Sequence, residues 1–389
     1  MTFRLALSGL NAAQTDLNVT ANNIANTATT GFKSSRAEFA ELFAVSPQGV
    51  SSLAVGNGVR VSDVQQQFKQ GNVDFTDNSL DLALSGEGFF TLSNNGAMVY
   101  SRAGAFRKDA DGYVVNAQQQ RLQVYPPSLT GGFNTGALQD LRLAVNESAP
   151  NATTNVEVLM NLPASDAAPT NPTFNPADTS SYNRATSMTV YDSLGAAHTA
   201  TLYLTHTATA NQWNARLYVD GAAVGGPQAM DFNNTGAMTN PPSGDLTFPA
   251  YTPSTGAAAM NMTFDFSGTT QYGNTFGVNS VTQDGFTTGR LIGMDIDKSG
   301  VVQARYTNGR SLTLGQVALS NFSNAGGLQQ LADTAWAETF GSGQALRGQA
   351  GNSGFGLIQS GALEASNVDI TAQLVNMITA QRNFQANAQ

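Results

Sequence analysis

Both ends of the chain carry apolar residues at alternating steps of four and three positions, a spacing that keeps them on one side of a helix. Up to Ile24 the only charged residues are Arg4 and Asp16. From Asp369 to the last residue, the only ones are Asp369 itself and Arg382. Exposed helix faces usually carry many more charges, so we expect two helices that are covered by protein rather than by water. These apolar positions, the seam residues, are Phe3, Leu7, Leu10, Leu17 and Ile24 at the start and Ile370, Leu374, Met377 and Phe384 at the end.

Two interpretations of the terminal helices are open. In the first, each helix packs on the core of its own chain. In the second, the two helices pair with each other as a coiled coil and are covered further by neighbouring copies. Isolated helices of this length are marginal in water, so ends of the second kind would order only against partners. The low charge favours the second interpretation.

Between the helices the sequence is typical of β-structure. Short runs rich in β-branched and aromatic residues begin at about Asn57, and a stretch richer in Pro, Thr and Asn interrupts them from about Val145 to Ser280. Strand-like runs return after it, which predicts one β domain inserted in another and an α+β fold. The predicted segments are an N-terminal helix at 1–30, a linker or extended arm at 31–71 with a short helix at Ser34 to Phe43, an inner β domain at 72–145 with 281–360, an inserted outer β domain at 146–280, and a C-terminal helix at 361–389.

The charge composition excludes several classes of partner. The chain has 18 lysine and arginine residues against 27 aspartate and glutamate residues, a net charge of −9 and a pI near 4.6. A nucleic-acid backbone needs clustered cations, which these dispersed residues do not supply, and a membrane surface is disfavoured likewise. The sequence contains no run of about 18 apolar residues, so no membrane span is expected. Cysteine is absent, which excludes disulfides and thiolate chemistry.

The sequence shows no motif that carries catalysis. DIDKSG at residues 295–300 begins like a calcium loop, but Tyr306 stands where a bidentate glutamate is required, so we interpret it as a β-turn. KDADGYV at residues 108–114 has the composition of a hairpin turn. We interpret the two histidines, His198 and His206, as surface or edge-strand residues. We therefore expect no catalytic, cofactor-binding or metal-binding residue, although acids distant in sequence could still meet in the fold.

Three stretches of the chain follow one another in a distinctive order. They are LSGLNAAQTDLNVTANNIANTATTGFKSSRAEFAEL near the start, LDLALSGEGFFTLS followed by YSRAGAFRKDADGYVVN, and SGALEASNVDITAQLVNMITAQRNFQANAQ at the end. Together they resemble the rod and hook proteins that form the axis of the bacterial flagellum. SSRAEFAE after GFK, the inserted TSMTVYDSLG, and TQDGFTTGRLIG followed by LGQVALSNF are similar to the hook branch of that family. The motif residues that carry the resemblance are Asn22, Asn23, Asn26, Gly31, Phe32, Gly86, Gly88, Phe89, Ser366 and Asn367.

The resemblance implies a structural subunit rather than an enzyme, without a cofactor. Such subunits assemble with identical copies into a short, curved, hollow helical tube, the hook, which acts as a universal joint that transmits torque from rod to filament. The resemblance also implies that the terminal helices pair seam to seam as the inner wall, with the β domains outside. Implied partners are the rod, hook-cap and hook–filament junction proteins and the flagellar type III export apparatus, and the implied location is outside the cell without a cleaved signal peptide.

Two other functions stay open at this stage. A distal rod protein would be straight and rigid, and the chain length and the inserted β domain argue against it. An extracellular β-rich adhesin or binding module with helical ends would be indicated by an aromatic-rich groove in the inserted domain. An enzyme ranks third, because it would need a pocket where dispersed acids converge. The family usually continues past the position of Gln389 with further heptads, so we expect the C-terminal helix to be truncated.

Overall fold

The computed structural model describes residues 2–42, 56–128, 131–143 and 147–389. A long helix lies at each end of this part of the chain, α1 at Thr2–Ala25 and α2 at Ile370–Ala388. α2 begins where the Asp369 carboxylate accepts a hydrogen bond at 3.1 Å from the backbone N–H of Ala372, because this cap satisfies a free donor of the first turn. The prediction of two terminal helices, with β-sheets between them, is confirmed.

The chain divides into two compact units, each with its own hydrophobic core. The unit that contains both chain ends is called the terminal unit here, and the other is called the inserted unit. The terminal unit comprises residues 1–145, 292–305 and 311–389, and the inserted unit comprises residues 146–291 and 306–310. Part of the predicted arm, at residues 43–55, lies outside the described residues.

In the terminal unit, α1 is followed by an antiparallel hairpin of strands Ser35–Glu41 and Val59–Gln66, which contacts α1. The predicted short helix at Ser34 to Phe43 is therefore wrong, and its last residue lies outside the described part of the chain. The side chain of Asn23 explains the difference. It accepts a hydrogen bond from the N–H of Ser35 at 2.9 Å and donates one to the carbonyl of Ser35 at 2.8 Å, as a neighbouring strand would. The chain consequently leaves α1 in an extended conformation.

A large sheet forms the body of the terminal unit, and its buried side chains fill one apolar core. Two further antiparallel pairs of strands lie outside the large sheet, and the second strand of each pair comes shortly before α2 in the chain. They are Leu82–Ser85 with Leu357–Ser360 and Val73–Phe75 with Ala362–Glu364. The strands of the large sheet are Phe89–Asn94, Ala97–Ser101, Arg107–Lys108, Val114–Val115, Arg121–Tyr125, Gln139–Asp140, Leu291–Ile296, Val301–Tyr306, Ser311–Val317, Leu319–Asn321, Gln329–Gln330, Ala335–Ala337 and Leu346–Gly348.

Acidic side chains shape two tight turns of the terminal unit. The carboxylate of Asp297 accepts hydrogen bonds at 2.9 Å from the backbone N–H groups of both Ser299 and Val301. The carboxylate of Asp109 accepts one at 2.7 Å from the N–H of Tyr113, between two paired strands. The predicted turns at these two stretches are confirmed, and the acids are used by the turns themselves.

The inserted unit is a sandwich of two sheets that share one core. Val156 and Val158 of the first sheet and Ala215 and Leu217 of the second lie in that core, and the residues between them face outward. The first sheet consists of Asn155–Pro163, Asp245–Thr247, Thr263–Asp265, Thr270–Tyr272 and Gly277–Gln283. The second consists of Arg184–Tyr191, Ala197–His206, Gln212–Val219, Ala222–Ala223, Gln228–Phe232 and Met238–Asn240.

His198 is buried in the inserted unit, so its interpretation as a surface or edge-strand histidine is wrong. Its strand is hydrogen-bonded to a neighbouring strand on both sides. The ring lies between two carboxylates, with Nδ1 at 2.6 Å from Asp220 Oδ2 and Nε2 at 3.2 Å from Asp192 Oδ2. His206, at the other end of the same strand, is half-buried.

The two carboxylates favour the charged form of His198. Burial acts to lower the pKa of His198, but the hydrogen bonds with Asp220 and Asp192 outweigh it and raise that pKa above its ordinary value. Burial acts to raise the pKa of Asp192, but hydrogen bonds from Thr255, His198 and two backbone N–H groups outweigh it and lower that pKa to about 2. The folded state therefore favours a cation between two anions.

This charge arrangement predicts a dependence of stability on pH. The folded pKa of His198 lies above the unfolded value of about 6.5, so its stabilising contribution is complete below that value and is lost as the pH rises through the folded pKa. We expect His198→Gln to lower the free energy of unfolding by about 1.5 to 3 kcal/mol at pH 6, because hydrogen bonds to charged groups are lost. Urea unfolding of the full chain across a pH series measures both effects.

His206→Gln is the matched control, since no carboxylate of the described residues bonds its ring. The His206→Gln chain should lose stability between pH 6 and pH 9 as the unmodified chain does. The His198→Gln chain should not show this loss. An identical pH profile for the His198 variant and the unmodified chain would contradict the assignment.

Candidate functional site

The motif residues converge where α1 ends and α2 begins, at a place that we call the junction. It is built from five parts of the terminal unit that are separate in sequence. One part is the end of α1 with the turn after it, the second is the stretch after the hairpin, the third is the turn before Phe89, the fourth is the loop that holds Arg102, and the fifth is the connection into α2. The residues of the junction are Asn23, Gly31, Phe32, Lys33, Gly71, Gly86, Phe89, Arg102, Glu364 and Asn367.

The centre of the junction is the carboxylate of Glu364, which lies between two cations. Lys33 Nζ donates a hydrogen bond to Glu364 Oε1 at 2.5 Å, and Arg102 Nη1 donates one to Oε2 at 3.2 Å. The backbone N–H of Gly71 donates a third, at 2.9 Å to Oε1. The side chains of Lys33 and Glu364 have no exposed surface, and that of Arg102 is 5% exposed. This ion network is therefore shielded from water and salt.

Burial works against the two cations, and the carboxylate opposes it. Burial lowers the pKa of Lys33 and of Arg102, and the charge of Glu364 acts in the opposite direction on both. Two backbone carbonyls also accept from the cations: Lys33 Nζ donates to the carbonyl of Lys69 at 3.0 Å, and Arg102 Nη2 donates to that of Gly86 at 2.8 Å. Arg102 Nε is buried without a hydrogen-bond partner among the described residues. Because a buried charge is costly without partners, each member of the network depends on the others.

Arg102 also connects the junction to an aromatic cluster. Its guanidinium carbon lies 5.5 Å from the centroid of the Phe89 ring, at a distance typical of a cation–π contact. Phe89 in turn packs edge-to-face against Phe68, Phe322 and Trp336 at centroid distances of 5.4 to 5.9 Å. The charged centre is thus fixed against the body of the terminal unit.

Asn367 holds the connection into α2 by amide hydrogen bonds. Its Oδ1 accepts from the N–H of Ser34 at 2.8 Å, and its Nδ2 donates to the carbonyls of Gln67 and Lys69 at 2.7 and 2.9 Å. One side chain therefore joins the turn after α1, the end of the hairpin and the start of the C-terminal segment. An amide suits this position because it carries donors and acceptors on the same rigid group.

Gly31 permits the close approach of the turn to Arg102. Its backbone has φ +69°, and a Cβ placed there would lie 2.5 Å from the backbone nitrogen of Ala103. Its N–H donates to the carbonyl of Glu364 at 2.8 Å. Any other residue at this position would have both an unfavourable φ and a steric clash. Phe32, the next residue, is buried.

The structure brings most of the motif residues into the junction but not all of them. Asn22 and Asn26 bond each other within the last turn of α1, with Asn26 Nδ2 donating to Asn22 O at 2.9 Å. Gly88 adopts φ +113° in the turn before Phe89, and a Cβ there would meet Leu84, Ser320 and Phe355 rather than the ions. Ser366 Oγ is buried without a hydrogen-bond partner among the described residues.

The three charged residues at the centre were missed by the sequence analysis. Lys33, Arg102 and Glu364 all lie inside the stretches that carry the family resemblance, in TTGFKSS, YSRAGAF and GALEASN. The sequence does contain a signal that could have identified these three residues. Only 12% of the chain is charged, yet each of these three motifs of apolar or small residues contains one charge. Charged residues are almost never fully buried unless they are paired.

α1 and α2 lie side by side and run antiparallel. Near one end of the pair, a Cβ on Gly9 would lie 2.7 Å from Cγ of Asn387, and at the other end Asn23 Nδ2 donates to Gln373 Oε1 at 3.3 Å. The buried positions of the helices are small or polar. They are Ala12, Ala13, Thr20 and Asn23 in α1 and Ala380 in α2.

Of the nine seam residues, five are half-buried and four are exposed. Leu10, Leu17, Ile24, Met377 and Phe384 are half-buried. Phe3 is 80% exposed, Leu7 46%, Ile370 52% and Leu374 46%. The expectation that the seam of one helix faces the seam of the other is therefore wrong for these four positions. Small residues between the helices allow the backbones to approach closely, which leaves the large apolar side chains outside.

Comparison with known proteins assigns this architecture to a family. Residues 161–286 match the flagellar basal body protein FlaE D2 domain, and residues 83–159 match the flagellar hook protein FlgE/F/G D1 domain. Residues 3–33 match the flagella basal body rod protein family, and residues 359–389 match the C-terminal domain of the flagellar basal body rod FlgEFG proteins. The two terminal matches contain most of the junction.

Full-length relatives decide the branch of the family. The chain is 39% identical to the flagellar hook protein FlgE of Salmonella typhimurium, over 100% of this chain and 96% of that protein. It is 32% identical to the flagellar hook protein FlgE of Borreliella burgdorferi, over 98% of this chain and 94% of that protein. The chain belongs to the flagellar hook protein family. The family is a structural one. None of the described helices is long and apolar enough to cross a membrane.

A solved structure shares the fold. The crystal structure of the Helicobacter pylori flagellar hook protein FlgE2 matches with a TM-score of 0.56 and 15% sequence identity. The match covers 75% of this chain and 100% of that one.

The junction predicts a large loss of stability when one ion is removed. We expect Lys33→Met to lower the free energy of unfolding by about 3 to 5 kcal/mol, because Glu364 would keep a buried charge with one partner fewer. Urea unfolding followed by circular dichroism measures the change.

Arg36→Gln serves as the control for this experiment. Arg36 pairs with Glu38 at 2.7 Å in the adjacent hairpin, but the side chains are 66% and 41% exposed. Exposed pairs contribute no more than about 1 kcal/mol, so the control should be nearly neutral. Equal, small losses for both variants would show that the junction does not stabilise the terminal unit.

Proposed function

We propose that this chain is the structural subunit of a bacterial flagellar hook, a curved hollow tube of identical copies that acts as a universal joint between rod and filament. The observation that carries the proposal is the exposed apolar surface of α1 and α2, held in place by the buried junction. Family membership and the full-length hook relatives support it.

Exposed apolar side chains form two groups, one near the start of α1 and one in the first half of α2. The large exposed apolar residues are Phe3, Leu5 and Leu7 on α1 and Ile370, Leu374, Val375 and Ile378 on α2. Full burial of each would contribute about 1.5 to 3 kcal/mol. That gain would offset the translational, rotational and side-chain entropy that the copies lose on association, and it is unavailable to an isolated chain. Groups of exposed apolar side chains of this kind are typical of an interface between proteins.

Charge on the helices supports burial against other copies. Each helix carries only two charged residues within or next to its ends, so few ions would have to leave water when several faces are covered. Burial raises the pKa of Asp16, on α1, already in the isolated chain. In the assembled tube the helices would pair as a coiled-coil-like inner wall, and copies of α1 and α2 would cover the seam residues of one another.

In this arrangement each segment of the chain would have its own place in the tube. The segments 1–30 and 361–389 would form the inner wall, and 31–71 would form the arm that leads from it. The inner β domain, 72–145 with 281–360, and the outer β domain, 146–280, would form the outer layers. The motif residues and the seam residues would then act together, the first by fixing the direction of the helices and the second by contacting neighbours.

The proposed location and partners follow from the same function. The chain would act outside the cell, exported by the flagellar type III apparatus without a cleavable signal peptide. Its tube would contact rod, hook-cap and hook–filament junction proteins at its ends. The negative net charge of −9 and the dispersed cations give no support for nucleic acid as a partner.

Electron microscopy of the purified chain tests the proposal. We expect curved tubes from the unmodified chain and none from a chain that lacks residues 1–30. We expect Phe3→Asn with Leu7→Asn to raise the protein concentration needed for assembly by about tenfold or more per side chain, because each loses burial worth at least 1.4 kcal/mol. The thermal midpoint of the monomer should stay within about 2 °C, since both side chains are exposed.

Ile292→Asn is the matched control, as Ile292 is 66% exposed but lies on a strand of the terminal unit rather than on a helix. It should assemble at the same concentration as the unmodified chain. Unimpaired tubes from the Phe3 and Leu7 variant, or a uniform defect that includes the control, would refute a role for the helix surface.

A further inference from the structure

A cavity of about 230 Å³ lies on the outer face of the second sheet of the inserted unit. It is lined by Arg216, His206 and Asn214 from the strands and by Asn171 and Phe174 from a segment that crosses this face. We call it the Arg216 cavity. The Pro- and Asn-rich sequence of this segment, NPTFNPADTSSYN at residues 171–183, is typical of an exposed loop, but Phe174 packs against other aromatic rings and is half-buried. The cavity is therefore walled by a fixed segment.

Arg216 is a cation without a counter-ion. Its Nη1 donates to Thr205 Oγ1 at 3.3 Å, and its guanidinium carbon lies 4.7 Å from the centroid of the Phe174 ring. No carboxylate of the described residues lies within ion-pair distance of it. The inserted unit has no lysine, and its Arg184 and Arg290 are paired with acids of the same unit. Its fourth arginine, Arg310, is exposed and lies over the ring of Phe286, and it forms no ion pair with the described residues. His206 adds a buried Nδ1 without a hydrogen-bond partner among the described residues.

The first sheet of the same unit carries the opposite charge. Asp265 lies directly across from Glu157 on one neighbouring strand and from Asp245 on the other, so three carboxylates form a row. Asp245 and Glu157 are exposed, Asp265 is half-exposed, and all three line one open hollow. Like charges directly opposite in a sheet are destabilising. None of the described lysine or arginine residues forms an ion pair with this acidic row.

The Arg216 cavity and the acidic row lie on opposite outer faces of the sandwich. Arg216 alternates with Ala215 and Leu217, which point into the shared core from the second sheet. Glu157 alternates with residues that point into the same core from the first sheet. One inserted unit consequently cannot neutralise its own two faces, but two copies placed head to tail can.

We propose that the Arg216 cavity receives a carboxylate of the acidic row, centred on Asp265, from a second copy of this chain. Charge complementarity selects this occupant, because the acidic row lacks a cation and the cavity lacks an anion. The contact uses a different surface on each copy and can therefore repeat along a helical polymer. The inference rests on the proposed function, because the contact needs copies held side by side. It adds to that function an ionic contact that salt weakens.

Disulfide trapping tests the contact in the full chain, which contains no native cysteine. Ala208→Cys lies in the lining of the cavity and Thr282→Cys lies in the hollow beside the acidic row, so neither removes a charge. We expect the double-cysteine chain to give a ladder of covalent multimers on mild oxidation at low salt. Each single-cysteine chain should give no species larger than a dimer.

Charge reversal then tests which residues make the contact. Arg216→Glu in the double-cysteine background should abolish the ladder, and adding Asp265→Arg should restore it by exchanging the two charges. Arg290→Glu is the matched control, because Arg290 is 81% exposed in the same unit and pairs with Glu147. The control should keep the ladder. Restoration by the second reversal also excludes misfolding as the cause of the first result.

The outcomes separate this inference from the proposed function. Curved tubes from the unmodified chain without a ladder, or a ladder that survives Arg216→Glu, would overturn the contact and leave the hook function intact. Absence of tubes from the unmodified chain under all conditions would count against the hook function, whereas a charge-dependent ladder in the same material would still support the contact.

Discussion

The buried carboxylate of Glu364 is the interaction on which the terminal unit depends. It joins Lys33, near the start of the chain, to a residue 331 positions later, and Arg102 attaches this pair to the sheet. A buried carboxylate with its partners is stable, and the same carboxylate without one of them is not, so any rearrangement that separates these three side chains is costly. The turn after α1 and the connection into α2 are therefore fixed relative to each other, and the two helices start from fixed positions.

The direction of the helices determines what the rest of their surface can do. Because the buried positions of the pair include Ala13, Thr20 and Ala380, the helices can pack closely through small side chains. Phe3, Leu7, Ile370 and Leu374 are then left outside, where an isolated chain cannot cover them. A junction that holds this surface rigidly lowers the entropy cost of covering it later, since the helix ends are ordered before a neighbour arrives.

Local patterns predicted some of this structure and could not predict the rest. The spacing of apolar residues was sufficient for both helices, because periodicity depends only on neighbours in sequence. It failed to give the contacting faces, since α1 packs on α2 and on a hairpin at once. It also failed at Ser35, whose extended conformation is set by the Asn23 side chain, and at His198, which is buried by strands on both sides. Lys33, Arg102 and Glu364 were missed because their partners are separated by hundreds of residues or lie in other motifs.

Two kinds of contact would meet different demands in a tube that bends. In the arrangement that we propose, the terminal helices lie nearest the axis, where bending changes the distance between neighbouring copies least. Apolar burial suits that layer, because it is lost steeply once water enters between well-packed side chains. The inserted unit would lie farther out, where the distances change most in each rotation. A charge contact falls off more gradually with separation and is weakened by salt, so an Arg216 to Asp265 contact can open and close there while the inner wall stays packed.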